Sequence, residues 1–161
     1  MKKTLLILLV LFISTMSVAK TPRWNKFDEG LNIARISGKK ILIDVYTDWC
    51  TWCKTMDSKT YSDKHITEYL EKNFVIIKLN AEAKDTITYS GHKMRPSDFV
   101  QGMSITGYPA TLFLKSNGEA ITMLPGYIEP GRFIYVLSFI AENQYEKKKF
   151  PDYLLEKGVK P

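Results

Sequence analysis

The sequence predicts an α/β protein, a sandwich with a mixed central sheet covered by helices, built as a βαβ unit followed by a ββα unit. Three observations carry that expectation. Lys40 to Tyr46 ("KILIDVY") is an apolar, β-branched run interrupted only by Asp44, the pattern of a central strand buried on both faces. Helix-like and strand-like segments alternate through the first half of the chain. Ala110–Leu114 and Ala120–Leu124 are apolar runs separated by Ser116-Asn117-Gly118, and Asn-Gly between apolar runs is a strong hairpin signal.

The elements follow in order. Trp24, Phe27, Leu31 and Ala34 recur at helical spacing up to Ile36, and Ser37-Gly38 ends that helix. After the Lys40–Tyr46 strand, Cys50, Cys53, Met56 and Asp57 set out a second helix. Asp63 is a good N-cap for a third, with Ile66, Tyr69 and Leu70 on one side. Phe74–Leu79 is the next strand. Asn80 to Ser97 is polar and without period, so it reads as a loop or small insertion. Asp98–Met103 is a short helical piece. Pro130 opens a long amphipathic helix bearing Phe133, Ile134, Leu137, Phe139 and Ile140 after the hairpin.

The chain has 161 residues, 45% hydrophobic and 12% aromatic, which suits one domain with a substantial core. Its start reads differently. Lys2 and Lys3 precede an unbroken apolar run, Leu5–Ile13, and Ser17-Val18-Ala19 offers small residues at signal-peptidase spacing. Residues 1–19 are therefore expected to be a signal peptide, and residues 20–161 the single folded domain. The apolar run is shorter than the ~20 residues a membrane-spanning helix needs. Removing Lys2 and Lys3 would lower the net charge from +6 to +4. The remaining basic clusters, Lys39-Lys40 and Lys147-Lys148-Lys149, read as solvated faces, with no nucleic-acid partner expected.

The chemistry-bearing stretch is "IDVYTDWCTWCK", Ile43 to Lys54, which holds both cysteines of the chain. Export favours disulfides, but a Cys-x-x-Cys loop is too short for much loop-closure stabilisation, so a structural staple is a poor reading. A metal clip fares no better. Eleven residues separate Cys53 from His65 and 26 separate His65 from His92, far from zinc-finger spacing. Haem attachment requires histidine where Lys54 stands. No metal or cofactor is expected, and both histidines read as surface residues. A redox-active pair remains. Cys50 stands where a central strand gives way to a helix, and free N–H groups with the helix dipole favour a thiolate there. Cys50 is the expected nucleophile, and Cys53, one turn on, the resolving thiol.

Two further residues matter. Asp44 breaks the apolar strand six residues before Cys50. Buried beneath a dithiol, it would have a raised pKa and could exchange a proton with Cys53; at a strand edge it would simply face water, and the strand pattern leaves both open. Pro109, in "TGYPAT", stands directly before a strand, where either a cis or an ordinary trans peptide is possible.

These motifs resemble the thioredoxin superfamily. "DWCTWCK" is similar to its redox motif; the family's buried acid falls on Asp44, its strand lysine on Lys78 in Lys78-Leu79-Asn80, its cis-proline loop on Tyr108-Pro109-Ala110, and the glycine after its last strand on Gly126. "GKKILIDVYTDWCTWCKTMDSKTYSD" is similar to exported thioredoxin-like proteins and to the soluble C-terminal domain of the bacterial transmembrane thiol reductant. "GYPATLFLKSNGEAITMLPGYIEPGRF" resembles periplasmic thioredoxins associated with sulfur oxidation. The resemblance spans roughly Trp24 to Ala141. It implies a thioredoxin-like three-layer α/β/α sandwich, a buried Asp44 and a cis Pro109. It further implies a periplasmic or secreted thiol:disulfide oxidoreductase, a monomer acting on protein or peptide disulfides and supplied with electrons by a membrane thiol transporter. The rival classes are a copper- or zinc-binding protein of the same fold and a redox-inactive binding module. Trp49, Trp52 and Tyr108 are the expected substrate contacts, with an extended peptide pairing beside Pro109. The chain departs from the family pattern at Thr51-Trp52 between the cysteines and at Tyr108 before the proline. Those positions tune redox potential across a range on the order of 150 mV, or about 7 kcal/mol, so the motif leaves the direction of electron flow open.

Overall fold

The computed structural model describes residues 21–161. The expected signal segment lies outside the described residues. Among those described, no helix is long and apolar enough to cross a membrane.

The chain enters through an extended segment in which Asn25 bridges to Ile77. Helix α1 (Phe27–Ser37) follows and ends at Gly38, whose φ of 71° lets it close the last turn. Trp24 was expected on this helix; instead the backbone of Asn25 pairs with the neighbouring strand, and that pairing holds Trp24 in the extended segment. Strand β1 is Lys40–Tyr46, as the apolar run requires. Helix α2 (Thr51–Met56) runs straight into a π-helical turn, Asp57–Tyr61. Asp63 caps α3 (Lys64–Asn73), its carboxylate accepting the Ile66 N–H at 3.0 Å. Strand β2 is Phe74–Asn80.

The polar insertion contains a small two-stranded sheet, β3 (Ile87–Tyr89) against β4 (His92–Met94). Its short strands carry too little alternation to be seen in sequence. Ile87 packs into the core, and the Tyr89 hydroxyl donates to the Gly118 carbonyl at 2.8 Å, which fixes the hairpin to the body. Helix α4 (Pro96–Gly102), strands β5 (Ala110–Leu114) and β6 (Ala120–Pro125), and helix α5 (Pro130–Ala141) complete the expected order. Beyond them, a short 3-10 turn leads to α6 (Phe150–Glu156), which packs Phe150 edge-on and Tyr153 at a tilt against Phe139 of α5.

The main sheet has the order β2-β1-β5-β6. β1 is parallel to β2 and antiparallel to β5, so the sheet is mixed and its most apolar strand is central. Period-two alternation sorts β1 between two cores. Ile41, Ile43 and Val45 face α1, α4 and the small hairpin, while Leu42 faces Met56, Tyr61, α3 and α5. This gives the three layers of an α/β/α sandwich. It also puts Asp44 on the side of the sheet that α2 and its π-turn cover.

Candidate active site

Cys50 is the N-cap of α2, at the end of the loop that leaves β1, and Cys53 lies in the first turn. The two sulfurs are joined in a disulfide, with Cα atoms 5.3 Å apart. Cys50 Sγ accepts the backbone N–H of Cys53 at 3.0 Å. Each cysteine is only 4% exposed, so exposure does not separate their roles. The hydrogen bond does. A negative charge on Cys50 would be met by an N–H group that an α-helix leaves unpaired at its start.

Asp44 is 2% exposed. Its neighbours along the sheet are Lys78 on β2 and Thr111 on β5. Burial raises its pKa to about 7, against the opposing pull of Lys78; nearby Asp57 pushes it up, and hydrogen bonds from Lys78 and Tyr61 push it down. Lys78 Nζ lies 3.5 Å from Asp44 Oδ2 and also makes a short bond to Asp57. Its ammonium sits 5.3 Å from the centre of the Trp24 ring and 5.1 Å from that of Tyr46. Two carboxylates and two aromatic rings thus hold this cation in place, each ring presenting its negative face. The hydroxyl of Tyr61 reaches Asp44 Oδ1 at 3.4 Å. Tyr61 is fully buried, and burial followed by the Asp44 charge drives its pKa well above the usual value, so it remains a neutral donor.

Around the disulfide the surface is aromatic. Trp49 and Trp52 are 65% and 59% exposed, high values for indoles. Trp49 meets Tyr108 edge to face with centroids 6.0 Å apart, and its Nε1–H is shared by the two carboxylate oxygens of Glu82, each at 3.1 Å. Trp52 lies over Tyr127 at 5.5 Å. The Tyr108–Pro109 peptide is cis. The carbonyl of Pro109 accepts the N–H of Gly126 at 2.7 Å, and Gly126 adopts φ 82°, a conformation open to glycine at little cost. That turn directs Tyr127 toward Trp52. Thr60 secures the next residue, its hydroxyl donating to the Ile128 carbonyl at 2.7 Å.

The residues singled out in sequence therefore gather at one end of the sheet. Cys50, Cys53, Trp49 and Trp52 come from one segment, Tyr108 and Pro109 from another, and Asp44 from β1, six residues before Cys50. His65 and His92 are exposed, on α3 and β4. Four residues that sequence reasoning did not select join the site: Asp57, Tyr61, Glu82 and Tyr127. Asp57 carried a usable signal, since it stands four residues after Cys53 on one helical face. Tyr61 and Glu82 carried none, because their partners Asp44 and Trp49 are remote in sequence.

Comparisons with known proteins identify the domain family and the fold. Residues 27–141 match the family model of the thioredoxin-like domain. The chain is 23% identical over 99 residues to thiol:disulfide interchange protein DsbD of Actinobacillus pleuropneumoniae serotype 5b, covering 60% of this chain and 15% of that protein. It thus spans less than a fifth of the curated relatives it matches. Among solved structures, a thioredoxin-fold protein from Helicobacter pylori aligns with a TM-score of 0.62 at 21% identity, over 75% of this chain and 80% of that one. A putative disulphide-isomerase from Bacteroides thetaiotaomicron aligns with a TM-score of 0.62 at 23% identity, over 83% of this chain and 100% of that one. At such identities these two likenesses speak for the fold alone.

Proposed function

The chain belongs to the thioredoxin-like domain family, and on that premise we propose that it is an exported thiol:disulfide oxidoreductase that reduces protein disulfides. The observation that carries this reading is the Cys50–Cys53 disulfide at the start of α2, with Cys50 Sγ already accepting a backbone N–H. The same donor would stabilise the Cys50 thiolate in the reduced form.

In the forward reaction the Cys50 thiolate attacks one sulfur of the substrate disulfide. A Cys50–substrate bond forms and the first substrate thiolate leaves. Cys53 then gives up its proton and attacks Cys50 Sγ, releasing the second substrate thiolate and leaving the Cys50–Cys53 disulfide. Two electrons pass from the dithiol to the substrate. Asp44, with a pKa near the working pH, takes the Cys53 proton. A donor dithiol returns the pair to its reduced form, and the family resemblance makes a membrane thiol transporter the fitting donor. The apolar surface of Trp49, Trp52 and Tyr108 receives an extended segment of substrate beside Pro109. Export to the periplasm or beyond rests on the N-terminal segment, and action as a monomer on the family pattern.

The test is reduction of a protein disulfide, followed by turbidity or fluorescence, with a dithiol supplied. The parent protein should accelerate the reaction over the dithiol alone and Cys50→Ser should not. An inert parent protein defeats the proposal.

A further inference from the structure

An α-helix running on from Cys53 would carry Tyr61 about 80° away from the Cys53 face, at 100° per residue. The chain does otherwise. From Asp57 to Tyr61 the helix widens into a π-turn, in which each residue advances by less, and Tyr61 comes back onto the face that holds Cys53 and Met56. Both ends of the turn reach the same polar cluster, Asp57 bonding to Lys78 and Tyr61 to Asp44. The phenol ring is clamped by the edges or faces of two neighbours, Trp24 at 4.9 Å and Phe133 at 5.8 Å. Packing alone would be satisfied by phenylalanine; the hydroxyl lies against one carboxylate oxygen of Asp44 and beside the Thr111 side chain.

We propose that Tyr61 is a positioning residue for the thiol chemistry: through its hydroxyl it holds Oδ1 of Asp44 while Lys78 holds Oδ2, fixing the carboxyl as an acceptor for the Cys53 proton. This rests on the oxidoreductase reading above. At 3.4 Å the bond is longer than a relaxed O–H···O contact of about 2.7–2.8 Å. It has room to shorten as Asp44 ionises, which is when a charge-assisted bond gains most. The ionisable groups acting on Asp44 are Lys78 from β2 and Asp57 and Tyr61 from the π-turn. Across the sheet β5 offers Thr111, which does not titrate.

Tyr61→Phe keeps the ring and removes only the donor. Titration of Asp44, read from carboxyl carbon shifts in labelled protein, should move upward by about one pH unit in the variant. The pH profile of single-turnover disulfide reduction should move with it, while Asp44→Asn should lack that inflection and make Tyr61→Phe silent. An Asp44 titration unchanged by Tyr61→Phe overturns the proposal. So does an equal effect of Tyr61→Phe on the profile in the Asp44→Asn background. Should the variant fold poorly, the hydroxyl proton of Tyr61 in the parent protein serves instead. Its resonance should follow the Asp44 titration, and a pH-independent resonance counts against the proposal. Because the carbon titration needs no turnover, an inactive parent protein would defeat the functional reading without deciding the Tyr61–Asp44 contact.

Discussion

Nζ of Lys78 stands 3.5 Å from Oδ2 of Asp44, a charged contact for a carboxyl that β1 buries almost completely. The contact does not offset the loss of water, and the pKa of Asp44 still rises to about 7. The folded state therefore binds the Asp44 proton more tightly than the unfolded chain, where an aspartate titrates near 3.9.

The sign of the resulting pH dependence follows. As pH rises from about 4 to about 7, the folded oxidised protein should lose stability, because the unfolded chain sheds this proton first. Over the whole interval the loss amounts to at most about 4 kcal/mol. Asp44→Asn should flatten this part of the curve and be the more stable protein at pH 8. Lys78 would not be stranded, since Asp57 remains bonded to it. Urea denaturation at pH 5 and pH 8 checks the point, and parallel curves for the two proteins would refute it.

Asp57 and Lys78 should tune the same titration in opposite directions. Asp57 pushes the Asp44 pKa up, so Asp57→Asn should lower it, both by removing a negative charge and by leaving Lys78 to Asp44 alone. Lys78→Met should raise it. Each change is expected to be about one pH unit. Shifts of the same sign in the two variants would contradict the electrostatic account of the cluster.

The two cysteines should behave differently despite equal burial. Cys53→Ala should accumulate mixed disulfides through Cys50, visible as mass additions that a thiol removes. Cys50→Ser should accumulate none. Equal trapping by both variants would contradict the asymmetry that the Cys53 N–H imposes on Cys50 Sγ.

The aromatic rim should act on binding rather than on sulfur chemistry. Trp49→Ala and Trp52→Ala should raise KM for a protein disulfide about five- to thirty-fold, the loss of roughly 1–2 kcal/mol of apolar contact. A small disulfide such as oxidised glutathione should be affected less. Glu82→Gln should give a milder version of Trp49→Ala, because the indole N–H keeps one acceptor of the two it shares now. Parallel losses on large and small substrates would place these residues in the redox step instead.

Sequence by itself determined the central strand, the order of the main-sheet strands and the helices between them through α5, the hairpin at Asn117-Gly118 and the paired cysteines at a strand-to-helix junction. Those features are local: apolar period, caps and turn residues act within a few positions of one another. Sequence also located Asp44 and Pro109, but left open whether the one was buried and the other cis until the family pattern was considered. The small β3–β4 sheet, α6 and the π-turn were not legible, since none announces itself by a period. What only the tertiary structure decided is the surroundings of the sulfur and the acid. Lys78 lies between Asp44, Asp57, Trp24 and Tyr46, and Tyr61 reaches back to Asp44, because β1, β2, the π-turn and the entering segment meet in space. Burial, and with it the raised pKa of Asp44, is a property of that assembly, because desolvation is imposed by neighbours from every layer at once.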